Sequence, residues 1–302
     1  MSKAVVIVNP TSGREEGKEM GPKVKEALLK KYDEVDLRWT EGEGDATRFA
    51  NEATKEGVDA IYALGGDGTV NECINGIAPE PVRPAFGFIP MGTVNDLGRV
   101  LGIPMDSEEA VDEITSYKKK RIDIGRLNNH YFADIMAIGS IPDSVQNVPI
   151  EKKTKLGPLA YVLEGTKAFV DKENYPLRFS CDDEVVEIDS FLVLVALTNS
   201  VGGIKTMIPE ASVDDGYLHL VAIEKQSTIG IANLVPKIFT GKLTEDDHVF
   251  YRKIKKARIE LREEAGDQTV LTNIDGDEGD ALPVTVEVFK HHIDVFVPAE
   301  TE

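Results

Sequence analysis

Three polar loops carry the residue types that phosphate chemistry needs: Asn9-Pro10-Thr11-Ser12-Gly13, Gly65-Gly66-Asp67-Gly68-Thr69 and Pro90-Met91-Gly92-Thr93-Val94-Asn95-Asp96. Glycines at a strand-to-helix turn let the backbone approach a ligand closely. The free amides and positive end of the following helix then favour phosphate there. Thr69 suits the helix N-cap. Asp67 is the informative residue, because a carboxylate facing phosphates repels them unless Mg²⁺ or a water-bridged cation lies between. A tight turn alone would also explain Gly-Gly-Asp-Gly, but three such loops together point to a nucleoside triphosphate. The lysine-bearing phosphate loop spacing is absent, as is a complete Gly-x-Gly-x-x-Gly.

The elements around these loops are what would position them. Lys3–Val8, Val35–Trp39, Asp59–Leu64 and Ala85–Ile89 read as strands, with helical spacing at Met20, Val24, Ala27 and Leu28, from Asp45 to Glu56, and from Thr69 to Ile77. Alternating strands and helices predict βαβ units and a parallel sheet. Ligands of such sheets bind beyond the carboxyl ends of the strands, where all three loops fall. After Ile122 the pattern changes. Asn128-Asn129 marks a hairpin, and Leu177–Cys181, Val185–Thr198, Tyr217–Ile223, Lys256–Leu261 and Thr285–Phe289 read as strands of an antiparallel β-sandwich-like domain. Helical interruptions are expected near Leu159–Val170 and Ser227–Phe239. The predicted fold is thus a Rossmann-like α/β domain, residues 1–125, followed by a β-rich domain, residues 126–291. The last strand, His292–Val297 within about 292–302, is expected to return to the first domain.

Composition sets the outer limits. The chain has 302 residues, with 34 basic against 53 acidic side chains and a formal charge of −19. That charge argues against nucleic-acid binding and against indiscriminate adhesion to anionic membranes. Lys118–Arg121, Lys152-Lys153-Thr154-Lys155 and Arg252–Arg258 are local basic islands, read either as solvated faces or as a patch meeting lipid head groups. The apolar stretches are far shorter than the ~20 residues of a membrane span, and the start is too short for a signal-peptide core. Two cysteines, Cys73 and Cys181, give no disulfide framework, which suits a reducing cytosol. His130, His219, His248, His291 and His292 make no metal-spaced pair, and His291 and His292 are expected on opposite faces of a strand.

With these blocks in view, the chain resembles the bacterial soluble diacylglycerol kinases, relatives of sphingosine kinases. The resemblance rests on the three loops, on Gly65–Glu72 and Arg99, on Asp214-Asp215-Gly216-Tyr217 and on Asn273-Ile274-Asp275-Gly276, in that order along nearly the whole chain. It implies a kinase transferring phosphate from ATP to the free hydroxyl of diacylglycerol, with phosphatidic acid as product and a role in lipid recycling. It implies ATP contacts at Asn9, Pro10, Thr11, Ser12, Gly13, Thr40, Gly66, Asp67, Gly68, Thr69, Val70, Asn71, Glu72 and Thr93. It also implies a structural Mg²⁺ on the Asp215 side chain and the carbonyls of Ser212 and Tyr217. Asp67, Asp96, Asp123 and Asp215 would form a water-linked acidic network. Without the resemblance, Asp214-Asp215-Gly216 reads first as a β-turn. A homodimer and transient contact with the inner membrane face are further implications.

Asp275-Gly276-Asp277-Glu278-Gly279 supplies carboxylates suited to taking a proton from a hydroxyl. The family reads Asp-Gly-Glu here, with the glutamate as proton acceptor, so Asp277 occupies that place and Asp275 is expected to orient or assist it. Flexible glycines at 276 and 279 are expected to let this loop advance. Glu164 and Arg14 stand where relatives carry lysines. A sphingoid base or polyprenol acceptor, or a silent nucleotide- or lipid-binding regulator, remains the alternative.

Overall fold

The computed structural model describes residues 1–13, 16–139, 173–182, 184–204 and 207–299. Arg14, Glu164, the Lys152–Lys155 island and the expected helix at Leu159–Val170 lie outside the described residues. The N-terminal half is an α/β domain, and the C-terminal half is an antiparallel β-sandwich-like region.

Strands β1 (Lys3–Val8), β2 (Glu34–Trp39), β3 (Ala60–Gly65) and β4 (Ala85–Pro90) form a parallel sheet in the order β4-β3-β1-β2. β3 and β4 are buried along their whole length, as expected when helices cover both faces of a sheet. Helices α1 (Gly17–Leu28), α2 (Asp45–Glu56), α3 (Asp67–Ile77), α4 (Asp96–Val100) and α5 (Ser107–Glu113) connect and cover them. In α1 the buried Met20, Val24 and Leu28 recur at helical spacing. α2 presents Ala46, Ala50 and Ala53 inward, so it packs close to α3, where Gly76 leaves no room for a β-carbon beside the Thr47 carbonyl.

The β-rich half contains β5 (Lys118–Leu127), β6 (His130–Phe132), β7 (Ile135–Ile138), β8 (Tyr175–Cys181), β9 (Glu184–Ala196) and β10 (Leu218–Glu224). It continues with α6 (Thr228–Thr240), β11 (Val249–Ile254), β12 (Lys256–Leu261), β13 (Leu271–Ile274), β14 (Asp277–Ala281) and β15 (Val284–Val297). Neighbouring strands here pair antiparallel, β9 with both β8 and β7, and β13 with both β7 and β14. The hairpin at Asn128-Asn129 forms between β5 and β6, with Asn128 at φ 49°.

β15 joins the two halves. Its first part pairs with β12 and β5, and Val295 then pairs in parallel with Phe86 of β4. The terminal segment is one long strand, not a separate short one. A register shift between Phe289 and Ile293 divides it, with His291 at φ 51°. The bulge sits at the two histidines, and His292 stacks on Tyr131 and packs at a tilt against Phe289. The His291 amide donates to Asp123 Oδ1, and His292 Nε2 lies 3.0 Å from the Ala78 carbonyl. The domain limit expected at residue 125 falls inside β5.

Candidate active site

The three polar loops converge at the carboxyl ends of β1, β3 and β4. Asn9 ends β1, and its Nδ2 donates to Thr69 Oγ1 at 3.3 Å while its Oδ1 accepts the Thr11 amide and hydroxyl. Thr40 follows β2 and its amide donates to the Val8 carbonyl at 2.9 Å. Gly66 and Gly92 are in backbone contact: a β-carbon on Gly92 would lie 2.8 Å from Gly66 Cα. Two loops from different strands can approach this closely only without side chains between them.

Helix α3 begins at Asp67, with Gly66 rather than Thr69 at its N-cap. Thr69 therefore lies inside the first turn, and its side chain occupies the space beside Gly65. Val70 is buried and its amide donates to the Gly66 carbonyl. Glu72 Oε2 accepts the amides of Ala46 and Thr47, at the start of α2, where no cap side chain is present. Asn71 holds Asn75, which in turn bridges to β6 through the Tyr131 amide and carbonyl. Gly68 and Thr93 are open to solvent or partly so.

Asp67 Oδ2 accepts the Asn95 amide at 2.9 Å. Asn95 itself sits at φ 52° and its side chain both donates to and accepts from Gly92. Burial pushes the Asp67 carboxyl up, opposed by the Asn95 amide, with the nearby Asp96 carboxylate adding to the rise. Asp96 is buried, and its Oδ1 accepts the Ser200 hydroxyl at 2.6 Å and the Gly203 amide at 2.8 Å.

The Asp275–Asp277 segment is a two-residue hairpin turn between β13 and β14, where a loose glycine-rich loop was expected. Asp275 (φ 49°) and Gly276 (φ 102°) form it, the conformation favoured for tight hairpins. The expected freedom at Gly279 is absent, since a β-carbon there would lie 2.5 Å from Thr272 Oγ1. Asp275 turns its carboxylate back into the fold: Oδ2 accepts the Ala133 amide, and Oδ1 accepts the amides of Asp134 and Ile135, at 2.8–3.2 Å. Burial nevertheless pushes this carboxyl up to about 6. Asp277 opens β14, and its Oδ2 lies 3.9 Å from the position a β-carbon on Gly68 would take. The hairpin of the β-rich half thus reaches the glycine loop of the α/β half. Partial burial raises the Asp277 carboxyl, and the Glu43 carboxylate adds to this.

By direct contact the acidic residues form two groups. Asp67 and Asp96 stand together, joined by Asp275 and by Asp134, whose burial beside Asp275 and Asp96 drives its carboxyl well above the usual range. A narrow recess lined by Asp67, Asn71, Leu97, Ala133, Asp134 and Asp275 marks this group. Asp123 belongs to the other group: it is buried, and its Oδ2 accepts the Gly216 amide beside Asp215. Asp134 escaped the sequence reading. Its signal was a carboxylate set in the apolar run Phe132-Ala133-Asp134-Ile135-Met136.

Around Asp215 the oxygens are concentrated on one turn. Asp215 Oδ1 accepts the Tyr217 amide, and Oδ2 meets His219 Nε2 at 3.0 Å and the Lys253 ammonium at 3.3 Å. The Ser212 carbonyl accepts the Asp215 amide. Burial holds His219 below the usual imidazole value. A carboxylate that already draws an ammonium, flanked by backbone carbonyls, fits a hard cation in its donor chemistry. Among the described residues no group of three or more His, Cys, Asp or Glu side chains forms a metal cluster. Two of the basic islands are largely ion-paired: Lys120 with Asp214, Arg121 with Asp294, Arg252 with Glu184, Lys256 with Glu287 and Arg258 with Glu260.

Residues 3–127 match the diacylglycerol kinase catalytic domain, and residues 140–297 match the YegS C-terminal NAD kinase beta sandwich-like domain. A diacylglycerol kinase of Staphylococcus saprophyticus is 37% identical over 296 residues, covering 98% of this chain and 95% of that protein. The chain belongs to the diacylglycerol kinase family. A diacylglycerol kinase of Staphylococcus aureus (strain MRSA252) is also 37% identical, over 98% of this chain and 92% of its own length. A solved structure from Bacillus anthracis superposes with a TM-score of 0.82 at 31% identity, covering 98% of this chain and 95% of the other. A second, described as a diacylglycerol kinase, gives 0.76 at 27% identity. As a member of this kinase family the protein is an enzyme of the transferase class. Among the described residues no helix is long and apolar enough to cross a membrane.

Proposed function

We propose that the protein phosphorylates the free hydroxyl of diacylglycerol with ATP, giving phosphatidic acid and ADP for phospholipid recycling. The observation that supports this reading is the approach of Asp277 to Gly68, a carboxylate beside the glycine turn that opens α3. ATP would occupy the loops Asn9–Gly13, Thr40, Gly66–Glu72 and Thr93, with the amides at the start of α3 facing its phosphates. Asp277 takes the hydroxyl proton, helped by a carboxyl whose raised pKa makes it a better base near neutrality. The lipid oxygen then bonds to the γ-phosphorus, the bond to the β–γ bridging oxygen breaks, and ADP leaves with that electron pair. Asp275, held by three amides, fixes the turn that carries Asp277. Asp67 keeps the loop at Gly92–Asn95 against the glycine turn.

Asp215 with the Ser212 and Tyr217 carbonyls would hold Mg²⁺, which offsets negative charge on a phosphate-handling protein. A cleft of about 420 Å³ beside the hairpin, lined by Ala137, Tyr175, Val270, Thr272, Asn273 and Gly276, is the candidate seat for the rest of the lipid. The protein would act as a cytoplasmic homodimer with transient contact at the inner membrane face. Lys152, Lys153 and Lys155, a basic island of the sequence, are the residues assigned to that contact. Neutralising them weakens binding to anionic vesicles, most at low salt, and unchanged binding would remove them from this role.

The deciding assay measures ATP consumption and phosphorylated lipid with and without diacylglycerol micelles. Turnover that depends on diacylglycerol supports the reading. Turnover only with a sphingoid base or polyprenol, or none with any lipid, sinks it.

A further inference from the structure

Asp134 sits between β6 and β7 and is 7% exposed. Among the described residues its one side-chain hydrogen-bond partner is the Thr198 hydroxyl, whose Oγ1 lies 3.0 Å from Asp134 Oδ1. The same Thr198 oxygen lies 2.9 Å from the Ser200 carbonyl, and both Thr198 and Ser200 are fully buried. A threonine hydroxyl has one proton, and a carbonyl can only accept. An ionised Asp134 would therefore compete with the Ser200 carbonyl for that single proton. A protonated Asp134 removes the conflict: it donates to Thr198, and Thr198 donates to Ser200. The Ser200 hydroxyl continues the chain to Asp96 at 2.6 Å.

We propose that Asp134 is held as a neutral carboxylic acid that donates to Thr198 and so positions Ser200 and, through it, Asp96. The carboxyls facing it all favour this state, against the pull of the Thr198 hydroxyl towards the anion. Asp275 stands beside it on the β13–β14 turn, Asp96 on α4 and Asp67 at the start of α3, each carboxyl opposing a further negative charge. Asp275 is stabilised as the anion by three amides, whereas Asp134 has a hydroxyl alone. Two adjacent carboxyls then share one proton, with Asp134 as its holder. Asp134 is thus a positioning residue, and it adds a proton donor to the recess without adding charge near the phosphate end of the site.

The test has three readouts on the intact protein, and two of them are independent of the proposed lipid chemistry. The infrared difference spectrum between wild type and Asp134→Asn at neutral pH should contain the carbonyl stretch of a protonated carboxylic acid. The melting temperature of Asp134→Asn, whose amide also donates to Thr198, should gain on wild type as pH rises from about 5 to 8, because only wild type has a proton to lose. For turnover, Asp134→Leu should lower kcat on the order of 10²-fold through misplacement of Asp96, with the KM for ATP changed far less. Asp134→Asn should recover most of that loss. A carboxylate band alone, or a melting difference flat with pH, overturns the assignment whatever the activity. An Asp134→Asn rate as low as Asp134→Leu overturns the positioning role.

Discussion

Asp67 Oδ2 and the Asn95 amide are joined at 2.9 Å, so the start of α3 and the start of α4 are held as one surface. The bond places a carboxylate where two strand ends meet, and it couples the glycine turn to the loop at Gly92. Asp67→Ala should reduce kcat by about 10²-fold or more, since an error near 1 Å in a catalytic contact can cost this much. Secondary structure should be unchanged. Lipid phosphorylation by the purified variant at a wild-type rate would remove Asp67 from the site.

Asp275, Asp277 and Glu278 occupy three different environments within four residues. Asp277→Asn should be nearly inactive while still binding ATP. Glu278→Gln should be close to normal, because successive residues of β14 point to opposite faces. Asp275→Asn should lose activity mainly through loss of stability, by about 1–3 kcal/mol for an impaired buried acceptor. Turnover and urea unfolding of the three variants separate these roles; a fully active Asp277→Asn would move the base elsewhere.

Asp275 also gives the protein a pH signature. Burial raises its folded pKa to about 6, above the ordinary value of about 4. The stability it contributes is fully present below the ordinary value and is lost as pH rises through about 6. The advantage of wild type over Asp275→Asn should therefore shrink between about pH 4 and pH 7. Unfolding midpoints across that range check the sign, and a constant gap would contradict it.

Mg²⁺ at Asp215 should show in stability before it shows in rate. Ligand that binds only the folded state raises the melting temperature, so Asp215→Ala should lower it and abolish its rise with added Mg²⁺. An unchanged response in the variant would place the ion elsewhere.

Apolar periodicity made much of the frame legible. The bounds of β1, α2 and β12 coincide with those read from sequence, because each is a clean run of strand or helix spacing. The β13–β14 hairpin did not declare itself, since Asp277-Glu278-Gly279-Asp280-Ala281 has almost no apolar residue to mark a strand. Pairing with β7 through β13 makes it one. Thr69 looked like a cap because its type suits that place, yet the close approach of Gly66 and Gly92 sets the helix start two residues earlier. The two groupings of Asp96 and Asp123 depend on contacts about a hundred residues away in sequence, which local spacing does not encode. Asp134 was hidden for the same reason.

β15 is a single beam shared by two building blocks. With one end hydrogen-bonded into the β-rich half and the other lying along β4, this link among the described residues is a paired strand, not the free connector that a jaw-like closure requires. The gap between Asp277 and the glycine turn is then a fixed gauge rather than a closing clamp. On the proposed reading, a lipid hydroxyl would be lifted from its bilayer to that gauge, and the depth to which a substrate can be drawn out would set which acceptors are phosphorylated.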